Sequence, residues 1–374
     1  MNLKKTIAII LCAASLVAVL SACGDGTPDD TTPPWDQENM DQEGHTHGFD
    51  YDTAFLAFHP DTVMISVDGL TVNWGELFFF LRGNVTALTA AYGDIYDWHA
   101  HFEDGLSYAE AIMEATTDNA LFYKAVELGA RQYGVTISNE EMAGIRAEFD
   151  STAEMLGGMD MFLSLLWMEE GYYSRELFER IVSTQTLANS VFFAIYGEDS
   201  ENVSDEDTAE MIEGVEFLMA KHILRLRTGD DSALREAEDI LSRLDNYGGT
   251  YFDSFFDQLM NRHTEDPGVE SFPDGYLFQL GDMVAPFYEA CLDLNIGEYS
   301  GIVETEHGYH IIYRIPINYD VPPIGGVNAE DYRTLRNYAA GMLYETQLFE
   351  WKEGLRPIYS DEFRSIDLAE IFAR

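Results

Sequence analysis

The sequence predicts an α+β protein, with about 100 residues of mixed strand and helix set between the N- and C-terminal segments of a mostly α-helical region. Three observations predict it. Apolar residues between positions 53 and 210 recur at helical spacing. Near Val215 that spacing gives way to a continuous apolar strand, and from there to Ile317 short strands alternate with short helices. After Val321-Pro322-Pro323 a helical stripe returns, longer than a small domain needs for its own core. The chain is therefore expected to leave a helical domain, enter an α+β domain and return.

The first residues are a processing segment rather than part of the fold. Lys4 and Lys5 precede an apolar run from Thr6 to Leu20 that is too short and wrongly flanked for a spanning helix. It ends in Leu20-Ser21-Ala22-Cys23-Gly24, which resembles the bacterial lipoprotein box. That resemblance implies a signal peptide of residues 1–22, a lipid on Cys23 and a mature chain held to the membrane from outside the cell. Residues 23–52 are rich in Asp, Thr, Pro and Gly and poor in apolar groups, so they read as a disordered acidic tether. His45-Thr46-His47 lies in it, and His99-Ala100-His101 lies further on. Neither pair has further ligands at a fixed distance, so no metal site is expected.

Residues 53–210 read as an N-terminal helical domain. Val63 to Gly69 is a short strand and turn, followed by a helix through Trp74, Leu77, Phe78 and Leu81. Ser107 with Glu110 and Ser138 with Glu141 are capping boxes, and Gly134 stops the helix that starts at Ser107. Tyr172 to Tyr196 is a further amphipathic segment closed by Gly197.

Residues 211–318 read as the α+β domain, in the order β-α-α-α-β-β with a brief strand near Leu277. Val215 to Leu224 is a strand. Asp230 or Asp231 caps a helix carrying Leu234, Ala237, Leu241 and Leu244, and Gly248-Gly249 breaks it. A second helix carries Phe252, Phe255, Phe256 and Leu259. Asp266-Pro267-Gly268 and Pro273-Asp274-Gly275 are turns, Met283 to Leu294 is helical, Gly301 to Glu304 is a short strand and Tyr309 to Ile317 a long one. In residues 319–374 a helix from Asn328 to Gly354 is expected to pack on the N-terminal domain.

Composition narrows the function. The chain of 374 residues carries 67 acidic against 21 basic side chains, a formal charge of −46. Nucleic acid is excluded as a partner, because binding phosphates needs Lys and Arg to displace counterions. Apart from Cys12 in the leader and Cys23, Cys291 stands alone on an apolar helical face, so no internal disulfide forms and Cys291 reads as a small core residue.

Two histidines sit in apolar strands, His222 in Ala220-Lys221-His222-Ile223-Leu224 and His310 in Gly308-Tyr309-His310-Ile311-Ile312. Each by itself fits a satisfied core residue. Between them stand Gly281-Asp282-Met283-Val284-Ala285-Pro286-Phe287 and the turn Gly297-Glu298-Tyr299-Ser300. With these in order, the stretch from Val215 to Ile317 resembles the parvulin family of peptidyl-prolyl isomerases. The layout around it is similar to the extracytoplasmic foldase lipoproteins of Gram-positive bacteria.

The resemblance implies a small antiparallel sheet with surrounding helices, inserted into a helical chaperone domain. It implies His222 and His310 as the paired histidines of the site, Thr305 as a hydroxyl in their network and Asp266 near the substrate carbonyl. Met283 and Phe287 then form the floor of a proline pocket and Phe278 adds a wall. His307 departs from the pattern, standing where relatives often carry Ser or an aromatic residue. No cofactor is implied, since rotation about an amide makes and breaks no bond. Arg225 and Arg227 are followed by Asp230 and Asp231, a poor phosphate site, so no phosphorylated substrate is required. The partners implied are unfolded exported polypeptides, with a homodimer left open. The competing reading is a holdase without catalysis. A solute-binding lipoprotein fits poorly, since residues 53–210 lack repeated strand–helix units.

Overall fold

The computed structural model describes residues 49–93, 95, 97–102, 105–325 and 333–373. Cys23, His45 and His47 lie outside the described residues, as does the expected start of the C-terminal helix. The chain divides into two compact units, one running to Ala194 and resuming at Thr346, the other covering Ile195–Glu345.

The first unit opens with a single helical turn, α1 (Tyr51–Phe55), capped by the Asp50 carboxylate. A hairpin follows, β1 (Val63–Val67) and β2 (Leu70–Asn73). Asp68 and Gly69 form its turn, with φ of 47° and 80°, the left-handed pair that matches the twist of flanking strands. Asn73 ends β2 and caps α2 (Trp74–Tyr92), which buries Trp74, Leu77, Phe78, Leu81 and Val85. Both expected capping boxes form. Ser107 starts α3 (Tyr108–Tyr133), closed by left-handed Gly134, and Ser138 starts α4 (Asn139–Met155). Next come α5 (Met159–Leu165), a π-helical turn at Leu166–Glu170, and α6 (Arg175–Tyr196).

The second unit holds α7 (Asp205–Met211), β3 (Leu218–Leu226), α8 (Ser232–Asp245), α9 (Phe252–His263), β4 (Tyr276–Phe278), α10 (Ala285–Leu292), β5 (Val303–Glu304) and β6 (Gly308–Arg314). The four strands form one antiparallel sheet in the order β4-β3-β6-β5. Strand alternation sorts its two faces. Ile223, Ile311 and Tyr313 point to α8 and α9, packing on Ile240, Leu244, Phe256 and Leu259. Lys221, on that face, reaches Asp257 of α9 at 2.6 Å. Leu218, Ala220 and Ile312 point the other way, onto Phe287, Tyr288 and Cys291 of α10. His222 and His310 belong to this second face.

Several boundaries differ from the sequence reading, each for a local reason. α10 starts at Ala285, not Met283, because Val284 is extended (ψ 140°) and Pro286 occupies the first turn. Met283 is thereby left in the loop before the helix. β6 stops at Arg314, ahead of Pro316, which has no N–H to offer a ladder. At the start of α8 Asp231 makes no capping bond, and Asp230 accepts from the Ser232 N–H at 3.0 Å instead.

A last long helix, α11 (Leu335–Gly354), contributes its first half to the second unit. Leu335 is buried there with Ile212, Phe217, Met219 and Leu277. Arg336 binds Asp205 at 2.7 Å and also Asp320 and the Val203 carbonyl. These contacts draw residues on both sides of 211–318 into the second unit. The rest of the chain belongs to the first. β7 (Ile358–Tyr359) pairs with β1, Ile65 opposite Tyr359, and completes a sheet ordered β2-β1-β7. After α12 (Asp361–Arg364) and α13 (Leu368–Ile371), Phe372 stacks on Trp98 at 5.3 Å between centroids. Among the described residues no helix is long and apolar enough to cross a membrane.

Candidate active site

The site is built on the two central strands. In the β3–β6 ladder Leu224 stands opposite His310 and Ile312 opposite His222, so the histidines are diagonal neighbours on one face. Their rings lie nearly parallel, 12° apart with centroids at 5.2 Å, and the two Nδ1 atoms are 3.0 Å apart. Gly308 lets the strands approach this closely. Its φ is 153°, and a Cβ there would stand 2.1 Å from the Arg225 carbonyl oxygen.

The pair is extended at both ends. His222 Nε2 lies 2.8 Å from Asp266 Oδ2, and His310 Nε2 lies 2.8 Å from Thr305 Oγ1. Asp266 is fixed by its own turn: Pro267–Glu270 is a 3₁₀ turn that Asp266 caps, its Oδ1 accepting from the Gly268 N–H at 3.1 Å. Tyr276 donates its hydroxyl to Asp266 and stands edge-on to His222, centroids 5.3 Å apart. His222, His310 and Thr305 are all buried.

The protonation states give the network a direction. Burial would raise the Asp266 carboxyl, but hydrogen bonds from His222, Tyr276 and the Gly268 N–H outweigh it and hold the group well below the usual carboxylate range. An ionised Asp266 can only accept, so His222 donates through Nε2. Burial, with the neighbouring His222 and His307, pushes His310 down to about 4, so at neutral pH it carries one proton. One hydrogen bridges His310 Nδ1 and His222 Nδ1, and a second joins the Thr305 hydroxyl to His310 Nε2. Thr305 Oγ1 accepts in turn from the His307 N–H at 3.2 Å. Each polar atom of the chain Thr305–His310–His222–Asp266 thus has a partner. Burial raises the Tyr276 phenol, reinforced by the Asp266 carboxylate.

An apolar wall stands against the pair. Phe287 presents its ring edge-on to His222 at 5.1 Å and to His310 at 5.5 Å. Met283 is half-buried against the same cluster. Phe278 is completely buried and packs on Phe287 at 5.7 Å, so it backs that ring instead of forming an open wall. Tyr276 was not singled out from the sequence. Its signal was an aromatic hydroxyl in the short strand after the Asp266 turn. Cys291 is buried beneath, and burial pushes its thiol up to about 11, an inert core group.

The two arginines after β3 are engaged elsewhere. Arg225 pairs with Glu236 and, at 3.3 Å, with Glu265, while Arg227 reaches Glu304 at 2.6 Å and lies over the Tyr309 ring. Their partners are these glutamates and not Asp230 or Asp231.

Residues 219–315 match the rotamase family defined by the PPIC-type PPIASE domain. They form a parvulin-type peptidyl-prolyl isomerase domain. Over more of its length the chain is similar to the foldase protein PrsA of Clostridium perfringens strain 13, 21% identical over 318 residues, spanning 81% of this chain and 88% of that one. It is also similar to the foldase protein PrsA of Halalkalibacterium halodurans, 28% identical over 223 residues, 57% of this chain and 60% of that one. The crystal structure of PrsA from Bacillus subtilis aligns at 18% identity over 83% of this chain and 94% of that one, with a TM-score of 0.25.

Proposed function

We propose that the chain is a peptidyl-prolyl cis-trans isomerase and foldase that assists exported proteins at the outer face of the membrane, tethered there by a lipid on Cys23. The observation that carries the enzymatic reading is the closed hydrogen-bond chain Thr305–His310–His222–Asp266 lying against Phe287 in a PPIC-type domain. The PrsA relatives support the foldase reading.

The chemistry follows from the bond being turned. Rotation about an X-Pro amide faces a barrier of about 18–20 kcal/mol from resonance, and uncatalysed exchange takes tens of seconds or more. A catalyst must favour the twisted amide over either planar form. Met283 and Phe287 hold the proline ring and exclude water, which favours the less polar twisted state. The histidine pair keeps Phe287 and the polar rim in fixed positions, and Asp266 lies near the carbonyl as it swings. No proton leaves the substrate, so neither histidine acts as a general base.

In this reading residues 1–22 are a leader and 23–52 a tether, 211–318 are the isomerase domain, and the helical segments at 53–210 and 319–374 serve as the chaperone part, although 195–210 and 319–345 fold with the isomerase unit. On the first unit Leu56, Met155, Met161 and Met168 are more than half exposed, adaptable apolar contacts for unfolded chains. Exchange of a short Ala-Pro peptide tests the proposal. Wild-type protein should exceed the uncatalysed rate, and His222→Ala with Met283→Ala should return to it. Wild-type protein that suppresses aggregation without accelerating exchange would leave a holdase.

A further inference from the structure

We infer that residues 321–325, in the linker after β6, form a strap that positions the Met283 loop, with Ile324 and Gly325 as the positioning residues. The inference rests on the isomerase reading and concerns how its proline pocket is held. Met283 sits between β4 and α10, in a loop that neither a ladder nor a helix fixes. The loop closes on itself at one point. The Gln279 N–H donates to Asp282 Oδ2 at 2.9 Å, and the Asp282 N–H donates to the Gln279 carbonyl at 3.1 Å. β4, which leads into it, is three residues long and lies at the edge of its sheet.

The linker adds a second support. Ile317, Tyr319 and Val321 pack with Met219 and Leu277 on one face of the sheet. The chain then crosses the edge of β4, where the Ile324 N–H donates to the Leu277 carbonyl at 2.9 Å. Past that edge, half-buried Ile324 packs on the opposite face, on the buried cluster of Phe278 and Phe287 that also receives Met283. Gly325 comes against Asp282, so closely that a Cβ would stand 2.2 Å from Oδ1. Pro322 and Pro323 fix two φ angles between these anchors, and Pro323 is buried, so the crossing is stiff. A loop ordered in the free protein does not have to be ordered when a peptide arrives, which favours binding. The strap lies beyond the family match, which ends at residue 315, so part of the pocket's support comes from outside the matched domain.

The test uses the full chain and exchange of an Ala-Pro peptide, with KM and kcat read separately beside the ε-methyl NMR signal of Met283. Ile324→Ala should raise KM about fivefold, leave kcat nearly unchanged and shift the Met283 signal. Gly325→Ala should act alike without removing an apolar contact. Gly325 is outside the left-handed region, so the added methyl does no more than push Asp282 off the Gln279 N–H. Ile324→Val should recover most of the loss. Neither alanine variant should add to Met283→Ala, because the strap acts through that side chain. An unaltered KM and Met283 signal in both variants would overturn the strap, as would undiminished losses in the Met283→Ala background. A lowered thermal midpoint with KM and kcat changed alike would also overturn it, leaving Ile324 a structural residue. Failure of the wild-type protein to turn over Ala-Pro would sink the isomerase reading. Peptide titration by chemical shift would then decide: affinity lost in both variants upholds the strap, and affinity kept ends it.

Discussion

His222 and His310 share one hydrogen between Nδ1 atoms 3.0 Å apart, across adjacent antiparallel strands. Only one of the two nitrogens can donate across that contact, so the hydrogen between them couples the Asp266 end of the network to the Thr305 end.

The pH dependence follows. His310 binds its proton less readily folded, near pH 4, than unfolded, near 6.5. Its contribution to stability is complete above pH 6.5 and is lost as the pH falls toward 4. Asp266, also depressed in the folded state, withdraws its contribution at still lower pH. Exchange activity should stay level from about pH 8 to 5.5 and fall with a midpoint near 4. Imidazole NMR shifts of His310 check this, and a midpoint near 6.5 would contradict the buried neutral ring.

His310→Ala removes the centre of the network. It leaves His222 Nδ1 without its partner and the Thr305 hydroxyl with the His307 N–H but no group to bond beyond it, at a cost of about 1–3 kcal/mol. The thermal midpoint should fall, and proline exchange should drop with it.

Met283 and Phe287 should separate binding from folding. Met283 is half-buried in a loop, so Met283→Ala should weaken peptide affinity and leave the thermal midpoint nearly unchanged. Phe287 is buried in the core, so Phe287→Ala should cost about 3–5 kcal/mol of stability as well. Peptide titration beside calorimetry distinguishes the two.

Gly308→Ala tests the close strand approach. The added methyl meets the Arg225 carbonyl, and relief requires the β3–β6 ladder to part, costing about 1–3 kcal/mol. Amide exchange should quicken at Leu226 and His310.

The proposed lipid on Cys23 has its own test. Cys23→Ala should release the protein from membranes in cell fractionation, and retention would dismiss the lipid.

Much of the site was legible because it lies on strands with strict alternation. His222 and His310 fall on one face once both strands are read, and the capping boxes at Ser107 and Ser138 form as spaced. What escaped depends on contacts distant in sequence. Arg225 and Arg227 stand near Asp230 and Asp231 in the chain, but tertiary neighbours Glu236, Glu265 and Glu304 claim them. Tyr276 gains its role only when the Asp266 turn folds beneath it. The resemblance makes Phe278 a pocket wall, yet its complete burial follows from pairing with Leu218, which local sequence does not encode.

The pairing of β7 with β1 bears on the order in which the chain can mature. A polypeptide emerging from its N-terminus presents Ile65 before the whole second unit, but its partner Tyr359 only after it. The stretch Ile195–Glu345 is contiguous and complete before then. Vectorial emergence therefore favours the proline-turning unit assembling first, while its host waits for β7.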